Sequence, residues 1–243
     1  MTRTVVVTGA AGGIGTALVQ RFAAAGDRVV ALGRSADSLS QLAQAEPVVC
    51  DVTDERSVNA AFSGLGAVDL LVNNAGVGES APLAKTTLDA WTQHLAVNAT
   101  GPFLCMRAVV PGMRKRGDGV IVTVASTAGR VGTPYTTAYA ASKHAAIGLT
   151  RAVAAELAGT GVRVNAVCPT FVRTELTRRS IANIVRRTGR TPEQAELALA
   201  ESSPLGRLLE PDEVVDAVVY LASPAAAAVN GQTLVLDGGG IQA

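Results

Sequence analysis

A glycine-rich turn between a short apolar segment and a helical one constrains the fold more than any other feature. β-Branched residues dominate Thr4–Thr8, and the run Gly9-Ala10-Ala11-Gly12-Gly13-Ile14-Gly15 leads from them into Thr16–Ala25, whose composition is helical. A strand, a glycine turn and a helix in this order direct backbone N–H groups and a positive helix end at one point, with room for a pyrophosphate. The glycine spacing differs from the commoner Gly-x-Gly-x-x-Gly, and a tight turn in an Ala- and Gly-rich chain is the alternative.

Strand-like and helical segments continue to alternate after this unit. We predict further strands at Arg28–Leu32, Pro47–Cys50, Val68–Val72, Gly119–Ala125, Val162–Cys168 and Gln232–Leu236. Alternation of this kind predicts an α/β fold with one doubly wound parallel sheet of seven strands. The 243 residues contain no repeat and no linker, so we expect a single domain over 1–243. The segment at about 171–210 is the least regular, and we expect it to close over a substrate.

Composition excludes several classes of function. The net charge is +1, which favours neither nucleic acid nor an anionic membrane. No apolar run approaches the roughly 20 residues that a membrane helix needs, and the N-terminus lacks a signal-peptide pattern. Cys50, Cys105 and Cys168 lie far apart in apolar stretches, which predicts buried free thiols rather than metal ligands. We expect a cytoplasmic protein without a metal.

The end of the second strand bears on the choice of nucleotide. An acidic residue at this point binds both hydroxyls of the adenosine ribose, whereas an arginine accommodates a 2′-phosphate. The sequence here is Gly33-Arg34-Ser35, with no acid. Arg34 therefore favours NADP(H) over NAD(H), although a solvated loop arginine would fit the same pattern. Asp51-Val52 follows the third strand and could contact the adenine or begin a helix.

A tyrosine and a lysine four positions apart provide candidate acid–base chemistry. Tyr139 and Lys143 lie in Ala138–Leu157, which is rich in Ala and Leu, so both side chains should share one helix face. A nearby cation favours the phenolate, and we expect it to lower the pKa of Tyr139 toward neutrality. Ser126 ends the fifth strand, and the glycine-containing loop after it can fold the tyrosine helix back beside that hydroxyl. Such a pair occurs by chance on many helices, so the other motifs must support it.

These motifs, taken together, resemble the short-chain dehydrogenase/reductase family over nearly the whole chain. The landmarks are Thr8-Gly9-Ala10-Ala11-Gly12-Gly13-Ile14-Gly15, Asp51-Val52, Asn73-Asn74-Ala75-Gly76, Asn98, Ser126, Tyr139-Ala140-Ala141-Ser142-Lys143 and Pro169. Within the family the chain is similar to bacterial single-domain carbonyl reductases. The resemblance implies an NAD(P)H-dependent enzyme that interconverts a ketone and a secondary alcohol. A β-keto thioester, a polyketide and a small or aromatic ketone are the implied substrates.

The resemblance also implies a role for each site residue. Tyr139 would be the general acid and base, Ser126 would polarise the substrate oxygen, and Lys143 would lower the tyrosine pKa and bind ribose hydroxyls. Asn98, in an interrupted helix, would link Lys143 to solvent through a water. The implied cofactor-binding residues are Gly9, Gly13, Ile14, Gly15, Arg34, Asp51, Val52, Asn73, Ala75, Gly76, Tyr139, Lys143, Pro169, Thr170, Val172 and Thr174.

Two positions depart from the family pattern. Many members carry Pro-Gly where this chain has Pro169-Thr170, and NADP-preferring members often carry a basic residue at the position of Gly12.

A non-catalytic dinucleotide-binding regulator is the alternative function. The arginines between 178 and 190 are typical of solvated helix faces; our minority hypothesis is that some bind a phosphate-bearing thioester carrier. From the family we expect a homotetramer, or a homodimer, built on two paired long helices.

Overall fold

The computed structural model describes residues 2–242, and a parallel sheet lies at their centre. Its seven strands have the order β3-β2-β1-β4-β5-β6-β7. The strands are β1 (Thr4–Thr8), β2 (Arg28–Gly33), β3 (Glu46–Val49), β4 (Leu70–Asn73), β5 (Gly119–Val124), β6 (Val162–Pro169) and β7 (Thr233–Leu236). Every neighbouring pair is parallel. The predicted doubly wound α/β sheet is therefore confirmed, with strand ends within two residues of those expected.

Helices cover both faces of this sheet. They are α1 (Gly13–Ala24), α2 (Ala36–Ser40), α3 (Glu55–Ser63), α4 (Leu88–Leu95), α5 (Gly101–Arg116), α6 (Thr137–Glu156), α7 (Glu175–Thr188), α8 (Pro192–Ala200) and α9 (Pro211–Ala222). Because both faces are covered, strand residues of either orientation are apolar. Val5 and Val7 pack with α1 and α9, whereas Val6 faces the side of α3, α5 and α6. Among the described residues no helix is both long and apolar enough to cross a bilayer.

The strand order places a crevice between β1 and β4. The chain adds β2 and β3 on one side of β1 and then crosses to add β4 to β7 on the other. Loops that leave β1 and β4 in opposite directions open a gap at the carboxyl edge of the sheet, where open α/β folds bind ligands. The glycine turn after β1 and the Asn-Asn-Ala-Gly segment after β4 therefore meet at this edge.

Two segments outside the sheet shape the region above that edge. The predicted interruption at Asn98 is a π-helical turn, Ala96–Thr100, between α4 and α5. The expectation that 171–210 is the least regular part of the chain was wrong, because α7 and α8 occupy most of it. Thr191 and Gln194 form a reciprocal capping box at the start of α8.

Candidate active site

The glycine turn after β1 is as tight as its sequence predicts. Gly9 has a φ of 62°, and a Cβ at this position would lie 2.7 Å from the Cα of Ala75. A Cβ at Gly15 would overlap the Gly9 carbonyl, and one at Gly13 would lie 2.9 Å from the methyl group of Thr174. Without side chains at these positions, the backbone of the turn and the start of α1 stay accessible to a phosphate group.

Asn74 and Thr8 hold the glycine turn against the end of β4. The side-chain amide of Asn74 donates to the carbonyl oxygens of Thr8 and Gly9 at 3.0 and 3.1 Å. The hydroxyl of Thr8 accepts from the backbone N–H groups of Asn74 and Ala75, both at 3.0 Å. These bonds fix the two sides of the crevice relative to each other. A site role was predicted for Asn73 and none for Asn74, because the sequence does not show which of the two amides faces the turn.

A groove continues from the glycine turn along the ends of β2, β3 and β4. Its lining includes Gly9, Gly33, Arg34, Asp51, Val52, Ala75 and Gly76. One oxygen of Asp51 accepts from the N–H and the hydroxyl of Thr53 at 2.9 and 2.7 Å. These bonds, with a smaller contribution from the charge of Arg34, lower the pKa of Asp51 and keep it ionised. A ribose and an adenine base fit this combination of open backbone, one carboxylate, one arginine and an apolar wall.

Lys143 lies beside the inner end of this groove. Its side chain is buried, and the ammonium donates to the carbonyl oxygen of Val124 at 2.9 Å. A Cβ on Gly76 would lie 3.7 Å from the Lys143 nitrogen. Burial lowers the pKa of Lys143 to about 8.

Tyr139 and Ser126 meet where α6 folds back over the end of β5. A Cβ at Gly129, in the turn after Ser126, would lie 2.8 Å from the Lys143 carbonyl oxygen, so this turn packs directly on α6. Burial raises the pKa of Tyr139, and its contact with the Ser126 hydroxyl opposes that rise. The expectation of a lowered tyrosine pKa is therefore wrong for the side chains alone. The Lys143 nitrogen lies 5.8 Å from the tyrosine ring centroid and is bonded elsewhere, so desolvation outweighs its charge.

Asn98 connects the loop after β4 to α6. From the π-helical turn its amide bonds both backbone groups of Val77 at 2.9 Å and donates to the Ser142 hydroxyl at 2.9 Å. Ser142 in turn donates to the Tyr139 carbonyl oxygen at 2.7 Å. This chain fixes the backbone that carries Tyr139 and accounts for a buried amide in an otherwise apolar helix. Ser142 was missed as a contributor, although it lies inside the Tyr-Lys motif.

Known proteins resemble this chain along nearly its whole length. The family model described as enoyl-(acyl carrier protein) reductase matches residues 9–240. The chain is 41% identical to the 2-(R)-hydroxypropyl-CoM dehydrogenase of Xanthobacter autotrophicus, with 98% of each covered. It is 37% identical to the 3-oxoacyl-(acyl-carrier-protein) reductase FabG of Thermotoga maritima, with 96% of each covered. A crystal structure of a single-residue variant of the actinorhodin polyketide ketoreductase with NADPH superposes with a TM-score of 0.94 at 34% identity, covering 98% of this chain and 97% of that one.

The chain belongs to the short-chain dehydrogenase/reductase family. The resemblance read from the motifs is thus confirmed, and so is the reaction class: NAD(P)-dependent oxidation and reduction between an alcohol and a ketone. The relatives are dehydrogenases and reductases, and they give the alternative of a non-catalytic regulator no support.

Three of the residues predicted to bind the cofactor in this short-chain dehydrogenase/reductase, Asn73, Thr170 and Val172, are engaged in contacts within the fold. The amide of Asn73 is buried on the sheet face opposite Thr123 of the neighbouring strand. Val172 packs its side chain in the core. The Thr170 N–H donates to Leu236 at 3.1 Å, which extends the β6–β7 ladder. These residues can contact a ligand only through atoms that are not already engaged in these contacts.

His94 and the three cysteines make contacts that stabilise the structure. His94 is buried, with Nε2 accepting from the Glu79 N–H at 3.0 Å and Nδ1 placed 2.6 Å from the Ala90 carbonyl oxygen. The cysteines are free and buried, as predicted. Cys168 lies close to the site, and burial raises its pKa to about 11, so it stays a thiol. Within residues 2–242 no group of His, Cys, Asp and Glu could hold a metal ion.

Proposed function

We propose that the chain reduces a ketone to a secondary alcohol, and oxidises it in reverse, with Ser126, Tyr139 and Lys143 as its catalytic residues. The observation that carries this proposal is their convergence. The serine and the tyrosine lie at the end of β5, and the lysine nitrogen lies next to Gly76 at the inner end of the nucleotide groove. The nicotinamide, when bound, supplies or accepts the hydride.

Each of the three residues has at least one proton that can be donated to a substrate or a cofactor in this arrangement. Ser126 Oγ already accepts the Ala128 N–H at 3.1 Å, so its own proton is available to a substrate oxygen. Tyr139 stays protonated, because burial raises its pKa, and can give its proton to that oxygen. Lys143 uses one N–H on Val124, which leaves two donors for ribose hydroxyls. Asn98 holds the loop and helix around this site, and we keep the proton relay through it as part of the proposal.

The proposal includes NADP(H) as the preferred cofactor. Arg34 lies at the end of β2 beside Asp51, its side chain is exposed, and the residues next to it, Gly33 and Ser35, carry no carboxylate. A guanidinium there can pair with a 2′-phosphate. Gly12, where family members that prefer NADP often carry a basic residue, weakens this support without removing it.

The substrate-closing role of 171–210 also belongs to the proposal. Leu176 of α7 lies close to Gly78 and to Tyr139, and Asn183 bonds Ser80. Of the arginines on α7, Arg178 and Arg179 pair with Glu175. Arg187 lines a second groove together with Lys85, which supports the hypothesis of a phosphate-bearing carrier at this residue. A KM for acyl-CoA substrates that is insensitive to salt would contradict that hypothesis.

Replacement of the tyrosine hydroxyl tests the proposal directly. We expect Tyr139→Phe to lower kcat about 100-fold or more, because general acid–base catalysis contributes roughly that factor. A spectrophotometric screen of ketones and β-keto thioesters, with NADPH and NADH in parallel, measures the loss of absorbance and also tests the cofactor preference. Tyr220→Phe, on the exposed face of α9, is the matched control and should keep full activity. Undiminished turnover of every substrate by Tyr139→Phe would contradict the assignment.

A further inference from the structure

Tyr135 has a backbone conformation that suits glycine better than tyrosine. Its φ is 65°, and it is the only residue other than glycine with a positive φ between residues 2 and 242. A side chain with a Cβ is disfavoured in the left-handed region, and a bulky aromatic residue is an outlier there. Strain of this kind concentrates at ligand-binding and catalytic sites.

The surrounding backbone maintains this conformation. The Tyr135 carbonyl oxygen accepts from the Ala81 N–H at 2.7 Å, which ties the turn to the loop after β4. The carbonyl oxygen of Thr133 accepts from the Thr136 hydroxyl at 2.8 Å, and the Thr136 carbonyl oxygen accepts from the Ala140 N–H of α6 at 2.7 Å. The turn is thus part of the connection that positions Tyr139 in the first turn of α6.

The ring of Tyr135 does not stabilise the core in return for this strain. Tyr135 is 66% exposed. A glycine or an asparagine would adopt the same φ with less strain and would lose little packing. Packing inside the subunit therefore gives no reason for an aromatic side chain at this position.

The ring lines a groove that lies next to the catalytic tyrosine. Tyr135 and Ala138 both line this groove, and Ala138 immediately precedes Tyr139. His94 lies at its inner wall, with its ring edge-on to that of Tyr139 at a centroid distance of 6.3 Å. The other uncharged lining residues are small: Ser80, Ala81, Thr86, Thr87, Ala90 and Thr137. The charged lining residues, Glu79, Lys85 and Arg187, are exposed.

We propose that Tyr135 determines substrate specificity by presenting its ring as a stacking surface for ketones that carry an aromatic group. This inference rests on the proposed ketone–alcohol function and specifies its substrate class. A flat substituent enters between the Tyr135 ring and the small residues of the groove, while its carbonyl oxygen reaches Ser126 and Tyr139. Offset or edge-to-face contact between aromatic rings gives selectivity beyond the burial of area.

Four variants separate the ring from the backbone strain. Tyr135→Asn and Tyr135→Gly remove the ring and adopt a positive φ, Tyr135→Phe keeps the ring, and Tyr220→Asn removes an exposed tyrosine elsewhere. Acetophenone and 2-butanone are the paired probes, each assayed with NADPH for kcat and KM. Thermal unfolding of every variant is measured in parallel.

We expect a loss of recognition together with no loss of stability. Tyr135→Asn and Tyr135→Gly should raise the KM for acetophenone roughly tenfold and change its kcat less than about twofold, because ring contacts act on bound substrate and transition state alike. Neither parameter for 2-butanone should change beyond about twofold. Tyr135→Phe and Tyr220→Asn should match the wild type, and the Tm of Tyr135→Asn should equal or exceed it.

Several results would overturn the inference while leaving the proposed function intact. One is a wild-type enzyme that reduces 2-butanone or acetoacetyl-CoA but not acetophenone. Another is a rise in KM in Tyr135→Asn that is equal for both probes, or a rise in the KM for acetophenone that is as large in Tyr135→Phe as in Tyr135→Asn. A Tm of Tyr135→Asn below that of the wild type would also contradict it. A chain that turns over no ketone with either cofactor would remove the proposed function and this inference together.

Discussion

The amino group of Lys143 is buried and donates one hydrogen bond to the protein. The residue is 6% exposed, and its nitrogen donates to the Val124 carbonyl oxygen. Burial lowers its pKa from 10.5 to about 8, so the folded chain releases this proton earlier than the unfolded chain. Between these two values the unfolded state binds more protons, and the free energy of unfolding rises with pH. Below about pH 8 both states hold the proton and the cost of burying the charge is fully present.

Comparison with Lys143→Met measures this cost. Between about pH 8 and 10 the wild type should gain stability relative to the variant by at most about 1.4 kcal/mol per pH unit. Urea unfolding without cofactor at several pH values across this range gives the free energy of unfolding of both proteins. Lys115→Met, on the exposed face of α5, controls for the loss of one positive charge. If the difference in the free energy of unfolding between wild type and Lys143→Met stays constant over this pH range, the lowered pKa of Lys143 is contradicted.

At the scale of elements, Asn183 supplies the hydrogen bonds from α7 to the loop after β4, beside the contact of Leu176 with Gly78. Asn183 donates to the Ser80 hydroxyl at 2.8 Å and to the Ser80 carbonyl oxygen at 3.2 Å. Arg186 and Arg187 donate to the other side of the same amide, which orients its NH2 group toward Ser80. Ile181, Ile184 and Val185 of the same helix are half-buried, so the Asn183 bonds form the polar part of its attachment.

Removal of this amide should release α7 over the site. Each hydrogen bond contributes about 1 kcal/mol, so Asn183→Ala should raise the population of an open α7 roughly tenfold, and the KM should rise by a smaller factor. Trypsin should cleave at the arginines of α7 roughly tenfold faster, as followed by mass spectrometry of the fragments. Asn59→Ala, exposed on α3, is the matched control. Unchanged KM and cleavage rates in Asn183→Ala would show that other contacts hold the helix.

The elements differ in how far their sequence determines them. Strands such as Thr4–Thr8 were predicted closely, because a buried parallel strand needs continuous β-branched residues and a glycine turn limits its end. Helix α7 was not predicted, because attention to its arginines hid the spacing of Leu176, Ile181, Ile184 and Val185. Its position over the site also depends on Asn183 and Ser80, which lie far apart in sequence.

At the scale of the molecule, motif spacing predicted which residues converge but not their electrostatics. Ser126 lies at the edge where the parallel strands end, and Tyr139 and Lys143 reach it because α6 folds back over the end of β5. The rise in the Tyr139 pKa instead depends on burial, which outweighs the opposing contact with the Ser126 hydroxyl, and no sequence pattern predicts that balance. The same holds for Asn73 and Asn74: only the structure shows which of the two amides faces the turn.

The outward face of α6 bears on the assembly of whole molecules. It carries exposed small residues, Ala145, Gly148, Ala152 and Ala155. We propose that this face pairs with a second copy in a homotetramer, as the family resemblance implies. A Cβ at Gly148 would meet no described heavy atom within 4 Å, so a side chain there costs the subunit nothing and gains helix propensity.

Gly148→Arg should therefore disrupt assembly without destabilising the subunit. Close approach of two copies of α6 leaves no room for an arginine at the contact, and loss of one interface of a tetramer with three two-fold axes leaves dimers of roughly half the mass. Sedimentation velocity measures that mass, and a Tm at or above that of the wild type excludes misfolding. Ala60→Arg, at an exposed small residue of α3, should sediment like the wild type. An unchanged sedimentation coefficient for Gly148→Arg means that this face of α6 is not an interface, whatever the oligomeric state of the wild type.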